Sequence, residues 1–215
     1  MVRQKLASKD LELILREGLQ QLSLMLSDHQ VSQLLDYLGL LEKWNGAYNL
    51  TSIREPEKML RLHLLDSLSI APLVRGERII DVGSGPGLPG VPLAIIYPER
   101  QFTLLDSNGK KTRFLFQVRT QLGLDNVTEN QSRVEAYQPT RLFDGVTSRA
   151  FTSLKDMVEK CAHLIGENGR FYAMKGQYPV KELSALPKHY NVVASHRLQV
   201  PGVDCERHLI EIAPS

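Results

Sequence analysis

One short segment constrains this chain more than any other: Asp81-Val82-Gly83-Ser84-Gly85-Pro86-Gly87. It closes the apolar run Arg78-Ile79-Ile80-Asp81-Val82, which reads as a buried strand. Glycines at every second position let the backbone turn tightly and approach a ligand without a Cβ clash. A helix opening after such a turn aims its first N–H groups at whatever lies there. Strand, glycine turn and helix in this order point to an α/β fold on parallel strands.

The segments after residue 75 extend that pattern. Gln101-Phe102-Thr103-Leu104-Leu105-Asp106 reads as a second strand, with a short helix before it ending near Tyr97-Pro98. Further strands are expected at about 126–130, 143–148 and 170–175, and helices at 109–122 and 152–165. Such alternation gives a parallel sheet covered on both faces. The tail differs: Asn191 to Val200 and Arg207 to Ile212 read as strands joined by Pro201-Gly202-Val203-Asp204, too short for a crossover, so they must be antiparallel. Before residue 70 the pattern is helical. Apolar residues at 31, 34, 35, 38, 41 and 44 share one helix face, with Ser27-Asp28 as the cap. An earlier helix is expected over about 9–26, and a third from Glu55-Pro56 to about Leu68. The expected division is a helical extension over 1–70 and an α/β domain over 71–215, packed as one unit.

Bulk composition narrows the class. The chain has 215 residues, 42% apolar and 23% charged, with a net charge of +2. These values fit a soluble globular protein; a strongly basic nucleic-acid-binding domain would stand higher. Residues 1–70 carry eight Lys/Arg against nine Asp/Glu, so they form no basic arm. Cys161 and Cys205 form no CxxC pair, so neither a disulfide framework nor a cysteine zinc site is expected, and two free, buried thiols would suit a reducing cytoplasm. The opening Met1-Val2-Arg3-Gln4-Lys5 is no apolar signal core, and no run reaches the ~20 apolar residues of a membrane helix. A cytoplasmic protein is expected, without membrane or metal.

The loop has two ligand readings. An acidic strand end followed by Gly83-x-Gly85-x-Gly87 is the signature of an S-adenosylmethionine site. Asp81 places negative charge near a cationic sulfonium and can accept from the cofactor's amino-acid portion. The rival is Gly85-Pro86-Gly87-Leu88-Pro89-Gly90, which satisfies the dinucleotide pattern GxGxxG. That match starts late after the strand, Pro86 and Pro89 remove N–H donors, and Asp81 would repel a pyrophosphate. A glycine loop serving only as a turn is the third reading. Asp106 lies 23 positions after Gly83, where an acidic residue contacts ribose or organises the loop. Val134-Glu135 follows the third strand, where an adenine is held, though Glu135 can equally be a surface charge. With the terminal hairpin, the expectation is a class I S-adenosylmethionine-dependent methyltransferase: Rossmann-like, with a mostly parallel seven-stranded sheet.

The acceptor is less legible. The Asp/Asn-Pro-Pro-aromatic motif of amino-methylating enzymes is absent; Ser148-Arg149-Ala150-Phe151 stands there. Neither cysteine has the Pro-Cys setting of a covalent nucleophile. A guanine N7 fits these absences, because its lone pair carries no proton and needs no base, leaving approach geometry to supply the rate. No catalytic residue is assigned, with Arg149 the one side chain considered. An arginine there must avoid the usual guanine O6/N7 pairing, which would block the reacting atom. Lys175-Gly176 closes the next strand. Lys110, Lys111, Arg113 and Arg119 crowd one helix with no acid from 107 to 124; they are either a solvated face or phosphate contacts. His63 and Asp66 either pair with each other or serve the site.

Taken in order, these segments resemble the bacterial GidB family, also called RsmG. The loop Asp81 to Gly90 carries the resemblance with Lys43-Trp44-Asn45, Tyr48-Asn49-Leu50-Thr51, His63…Asp66-Ser67, Leu105-Asp106-Ser107…Lys110-Lys111, Ser132-Arg133-Val134-Glu135, Ser148-Arg149-Ala150, Lys175-Gly176 and Glu206-Arg207-His208-Leu209. It covers nearly the whole chain. It implies methylation of N7 of one guanine, position 527, of 16S ribosomal RNA in the small subunit or its precursor. It implies cofactor contacts at Gly83, Leu88, Val134, Glu135 and Arg149, to which the residues' own reading adds Asp81, Gly85 and Asp106. Many relatives have Ala where Val134 stands. For substrate RNA the residues considered are Lys110, Lys111, Arg113 and Lys175. Without the resemblance, a methyltransferase acting on a small molecule or protein, or a non-catalytic binder, would remain open.

Overall fold

The computed structural model describes residues 2–149, 151 and 153–215, with side chains from Lys9 onward. Ala150 and Thr152, the latter the expected start of a helix, lie outside them.

Seven strands form one sheet in the order β3-β2-β1-β4-β5-β7-β6. They are β1 (Arg78–Val82), β2 (Gln101–Asp106), β3 (Val127–Gln131), β4 (Phe143–Ser148), β5 (Ile165–Lys175), β6 (Tyr190–Arg197) and β7 (His208–Pro214). Strands β1 to β5 run parallel. Strand β7 runs antiparallel to both β5 and β6, as the short tail connection requires. The order reverses between β1 and β4, the crevice where open α/β sheets bind ligands.

The helices are α1 (Val2–Gln21), α2 (Asp28–Tyr48), α3 (Pro56–Met59), α4 (Asp66–Leu68), α5 (Gly90–Ile96), α6 (Gly109–Leu122), α7 (Leu154–Cys161) and α8 (Val180–Ser184). Helix α1 departs from the expected 9–26. It ends early because Ser23 takes a left-handed φ of 57° and the chain closes on itself, Ser23 N to Gln20 O and Leu24 N to Leu19 O. Ser27 starts α2 with a capping box to Gln30. The expected third helix is continuous but not uniform: a π-helical turn, Leu60–Leu65, joins α3 to α4. Both His63 and Asp66 are buried there. Strand β5 starts five residues before the expected 170, and α7 stops at Cys161, where a 3-10 turn, Ala162–Leu164, follows.

One apolar cluster joins Leu15, Leu34 and Leu64 of the helical segment to Ile79, Phe102 and Phe114 of the α/β segment. A second lies on the sheet's other face, around Val146, Met157 and Phe171. Cys161 is buried in the second cluster, but Cys205 is exposed. That corrects the expectation of two buried thiols: Cys205 sits in the polar turn Asp204-Cys205-Glu206 before β7. Among the described residues no helix is long and apolar enough to cross a membrane.

Candidate cofactor and acceptor site

After β1 the backbone turns through Gly83, Gly85 and Gly87, with φ of 69°, 58° and 99°. L-residues with a side chain rarely take these values. The turn is tied to β2 by backbone atoms: Gly83 N and Ser84 N both donate to Leu105 O, at 2.8 and 3.2 Å. Asp106 completes the tie. Its Oδ2 accepts from Gly85 N at 2.8 Å and its Oδ1 from Asn108 N at 2.8 Å, joining the loop to the start of α6. Above the loop, Tyr37 of α2 donates to Pro86 O at 2.8 Å.

Asp81 lies beneath the loop and is fully buried. Its Oδ2 accepts from Gly90 N at 2.9 Å. Burial pushes its carboxyl up to about 7, against the Gly90 N–H and the Arg149 charge that favour ionisation. Gly90 is needed for this approach, since a Cβ there would run into Leu104 and stand 2.9 Å from Asp81 Oδ2. Gly85 is the opposite case: a Cβ would meet nothing nearer than Gly83 O at 4.0 Å. Space kept open above a left-handed glycine fits a ligand lying against the loop.

The loop meets a cleft of about 260 Å³ at Gly83. Val82, Gly83, Leu105 and Asp106 form its floor, and Ser132, Val134 and Glu135 one wall. Four expected cofactor residues therefore meet here: Gly83, Asp106, Val134 and Glu135. Asp81 and Leu88 do not line it, being buried under the loop. Gly85 lies on the loop above. Ser107, Arg133, Phe151 and Lys160 also line the cleft and were not singled out as contacts. Lys160 stands 3.8 Å from Glu135, both about half exposed, so the pair contributes little. Only the Ser107 and Arg133 matches carried a sequence signal; Lys160 is an ordinary helix position.

Arg149 is not in that cleft. It follows β4 and borders a separate pocket of about 240 Å³ with Lys175, Arg207 and His208. Behind it lies Asp66, 2% exposed. Asp66 Oδ1 accepts from Arg207 Nε at 3.0 Å, and its Oδ2 lies 3.4 Å from Arg149 Nη1. One carboxylate thus holds two guanidiniums from distant parts of the chain. Burial pushes the Asp66 carboxyl up while both arginines pull it down. His63 does not pair with Asp66; its Nε2 meets Thr51 Oγ1 at 2.8 Å. Burial, then the Arg149 charge, lowers His63 to about 4.

The expected RNA residues separate. Lys175 is largely buried, 2.8 Å from Glu182, and donates to Phe151 O. Lys111 Nζ donates to Leu50 O at 2.6 Å, docking the Asn49-Leu50-Thr51 turn on α6. Burial lowers its pKa. Lys110 and Arg113 are exposed. Among the described residues, no cluster of three or more His, Cys, Asp or Glu could hold a metal.

A glycine loop bonded to the second strand, above a cleft at the strand ends of a 3-2-1-4-5-7-6 sheet, defines a class I S-adenosylmethionine-dependent methyltransferase. Solved structures agree in fold: TrmN from Thermus thermophilus superposes with a TM-score of 0.55 at 14% identity, over 79% of this chain and 52% of that one. M. jannaschii TYW2 in complex with AdoMet gives 0.54 at 11%, over 71% and 76%. Residues 30–210 match GidB, rRNA small subunit methyltransferase G, and the chain belongs to that family. The ribosomal RNA small subunit methyltransferase G of Saccharophagus degradans is 60% identical over 199 residues, 93% of this chain and 89% of the relative. That of Escherichia fergusonii is 55% identical over 197 residues, 92% and 95%.

Proposed function

We propose that this protein transfers a methyl group from S-adenosylmethionine to N7 of one guanine in 16S ribosomal RNA, in the small subunit or its precursor, in the cytoplasm. The observation that carries the reading is the pairing of two spaces, a cleft at the ends of β1 to β3 and an arginine-lined pocket past β4 and β5, linked by Lys175, which lines the pocket and donates to Phe151 O of the cleft.

The cleft fits the cofactor. Gly83 and Gly85 bring backbone close, Asp106 meets ribose hydroxyls while organising the loop, and Val134 with Glu135 takes the adenosine side. Leu88 supports from below, and Asp81 sets the loop's shape and charge. Bound there, S-adenosylmethionine supplies an electrophilic methyl on a sulfonium. The protein's own work is placement. A guanine N7 has no proton to lose, so holding it in line and excluding water provides most of the acceleration. Arg149 and Arg207, held by Asp66, offer donors for O6 or a phosphate. Cys161 is no nucleophile, because burial pushes its thiol up to about 12. The 1–70 extension and the 71–215 domain act as one packed unit, which the shared apolar cluster supports.

The test is methyl transfer from labelled S-adenosylmethionine to small subunits that lack the modification. Label in 16S RNA is expected; label only in protein or small molecules would overturn the reading.

A further inference from the structure

Beyond the β3 edge, outside both spaces, α2 and α6 enclose a groove of about 330 Å³. Trp44 and Tyr48, on the last turns of α2, stack with ring centroids 5.1 Å apart and planes 17° from parallel. Trp44 also packs against the buried Phe114 at 6.0 Å, which fixes its position. Across the groove Phe116 of α6 is 46% exposed, with the Arg119 guanidinium over its ring at 5.4 Å. Three aromatic rings around one partly open groove exceed the single exposed apolar residues that need no explanation.

The charges beside it are one-sided. Helix α6 carries four cations, and no acid lies from 107 to 124. Two cations are committed: Lys111 to Leu50 O, and Arg119 to Glu129 at 2.8 Å, which neutralises the carboxylate in the groove. Arg113 lines the groove and is exposed; Lys110 is exposed close by. Arg113 Nε donates to Gly109 O at 3.0 Å, but among the described residues neither Arg113 nor Lys110 is paired with a carboxylate. Flat apolar faces beside cations without an acidic partner match an anionic polymer with π-faces, which is unpaired RNA. The groove and the cofactor cleft are lined by consecutive residues of β3 and the turn after it. Gln131 lines the groove, and Ser132, the next residue, lines the cleft.

We propose that this groove docks unpaired nucleotides of the RNA substrate, with Phe116 and the Trp44–Tyr48 pair as stacking platform and Arg113 and Lys110 as phosphate contacts. This rests on the RNA reading above and adds where the strand lies.

Trp44 is the chain's one tryptophan, so its fluorescence reports on the groove directly. Titration with a short oligoadenylate at low salt is expected to quench it to saturation. Phe116→Ala with Arg113→Gln should weaken that binding about tenfold. It should raise the KM for small subunits by a similar factor, with kcat and S-adenosylmethionine affinity unchanged, and Phe116→Tyr should restore most of the loss. An unchanged subunit KM would overturn the proposal. So would a raised KM with oligonucleotide binding and quenching intact, since a ribosomal protein would then be the partner. If the native enzyme labels no RNA, the function proposed above fails, and absence of quenching by the oligonucleotide alone then overturns the groove.

Discussion

The glycine loop is held through its own backbone N–H groups, which donate to Leu105 O and to the carboxylates of Asp106 and Asp81, whereas behind Arg149 the site is held by side chains pairing with side chains, Asp66 and Arg207 being 141 positions apart. The contrast concerns what each region tolerates. The loop accepts most side-chain changes except at the positions whose φ or proximity demands glycine and at Asp81 and Asp106, whose carboxylates take its N–H groups. A side-chain clamp fails when one partner is removed.

The sharpest break on the loop side is Gly85→Val. The new branches enter the open space over Gly85, where the cofactor is proposed to lie, and affinity for S-adenosylmethionine should fall about 100-fold, near 2.7 kcal/mol. The left-handed φ adds a stability cost of about 1–3 kcal/mol. Calorimetric titration beside a thermal melt separates the two; unchanged affinity would remove the loop from the cofactor site. On the clamp side, Asp66→Ala leaves two guanidiniums facing each other without their carboxylate. Because both arginines are about a quarter exposed, the cost should be about 3 kcal/mol, at the low end for a broken buried pair. Denaturant unfolding measures it, and Asp66→Asn should lose less.

The pH response has two opposed parts. His63 is held at about 4 against 6.5 when unfolded, so its contribution is complete above pH 6.5 and is lost as pH falls through 4. Asp81 is raised from 3.8 to about 7, so its contribution is complete below 3.8 and is lost as pH rises through 7. His63→Gln removes the first part only. Between pH 6.5 and 4 the variant should gain stability relative to the native protein, on the order of 2–3 kcal/mol. Parallel stability curves for the two proteins would show that His63 is not held neutral by its site.

The smallest effect separates two adjacent lysines. Lys111→Glu removes the bond to Leu50 O and should cost about 1–2 kcal/mol of stability. Lys110→Glu should leave stability within about 0.5 kcal/mol and weaken binding to small subunits a few-fold. Melts and KM values for both variants, side by side, test this.

The same contrast explains what could be read in advance. The strands, α6, the terminal hairpin and the loop were legible because they rest on local periodicity and on glycines with a backbone reason. Gly83, Asp106, Val134 and Glu135 converge on the cleft because strand ends in a parallel sheet must meet there. The clamp was not legible. His63 and Asp66 sit three apart on one helix, which left a mutual pair and a site role equally open, and the π-helical turn and the tertiary fold give them different partners, Thr51 and the two arginines. Lys111 looked like its neighbours, and only docking of the Asn49-Leu50-Thr51 turn commits it. Arg149 follows a strand end as expected, but spacing could not show that it borders a pocket other than the cleft beside the glycine loop.

The central claim is the acceptor atom, and N7 methylation can be read chemically. Reduction and aniline cleavage break RNA at N7-methylated guanine. After reaction of the native enzyme with unmodified small subunits, the account predicts one new scission, at a single guanine of 16S RNA, absent when S-adenosylmethionine is withheld. Methyl incorporation into that RNA with no new scission would place the group on another atom and contradict it.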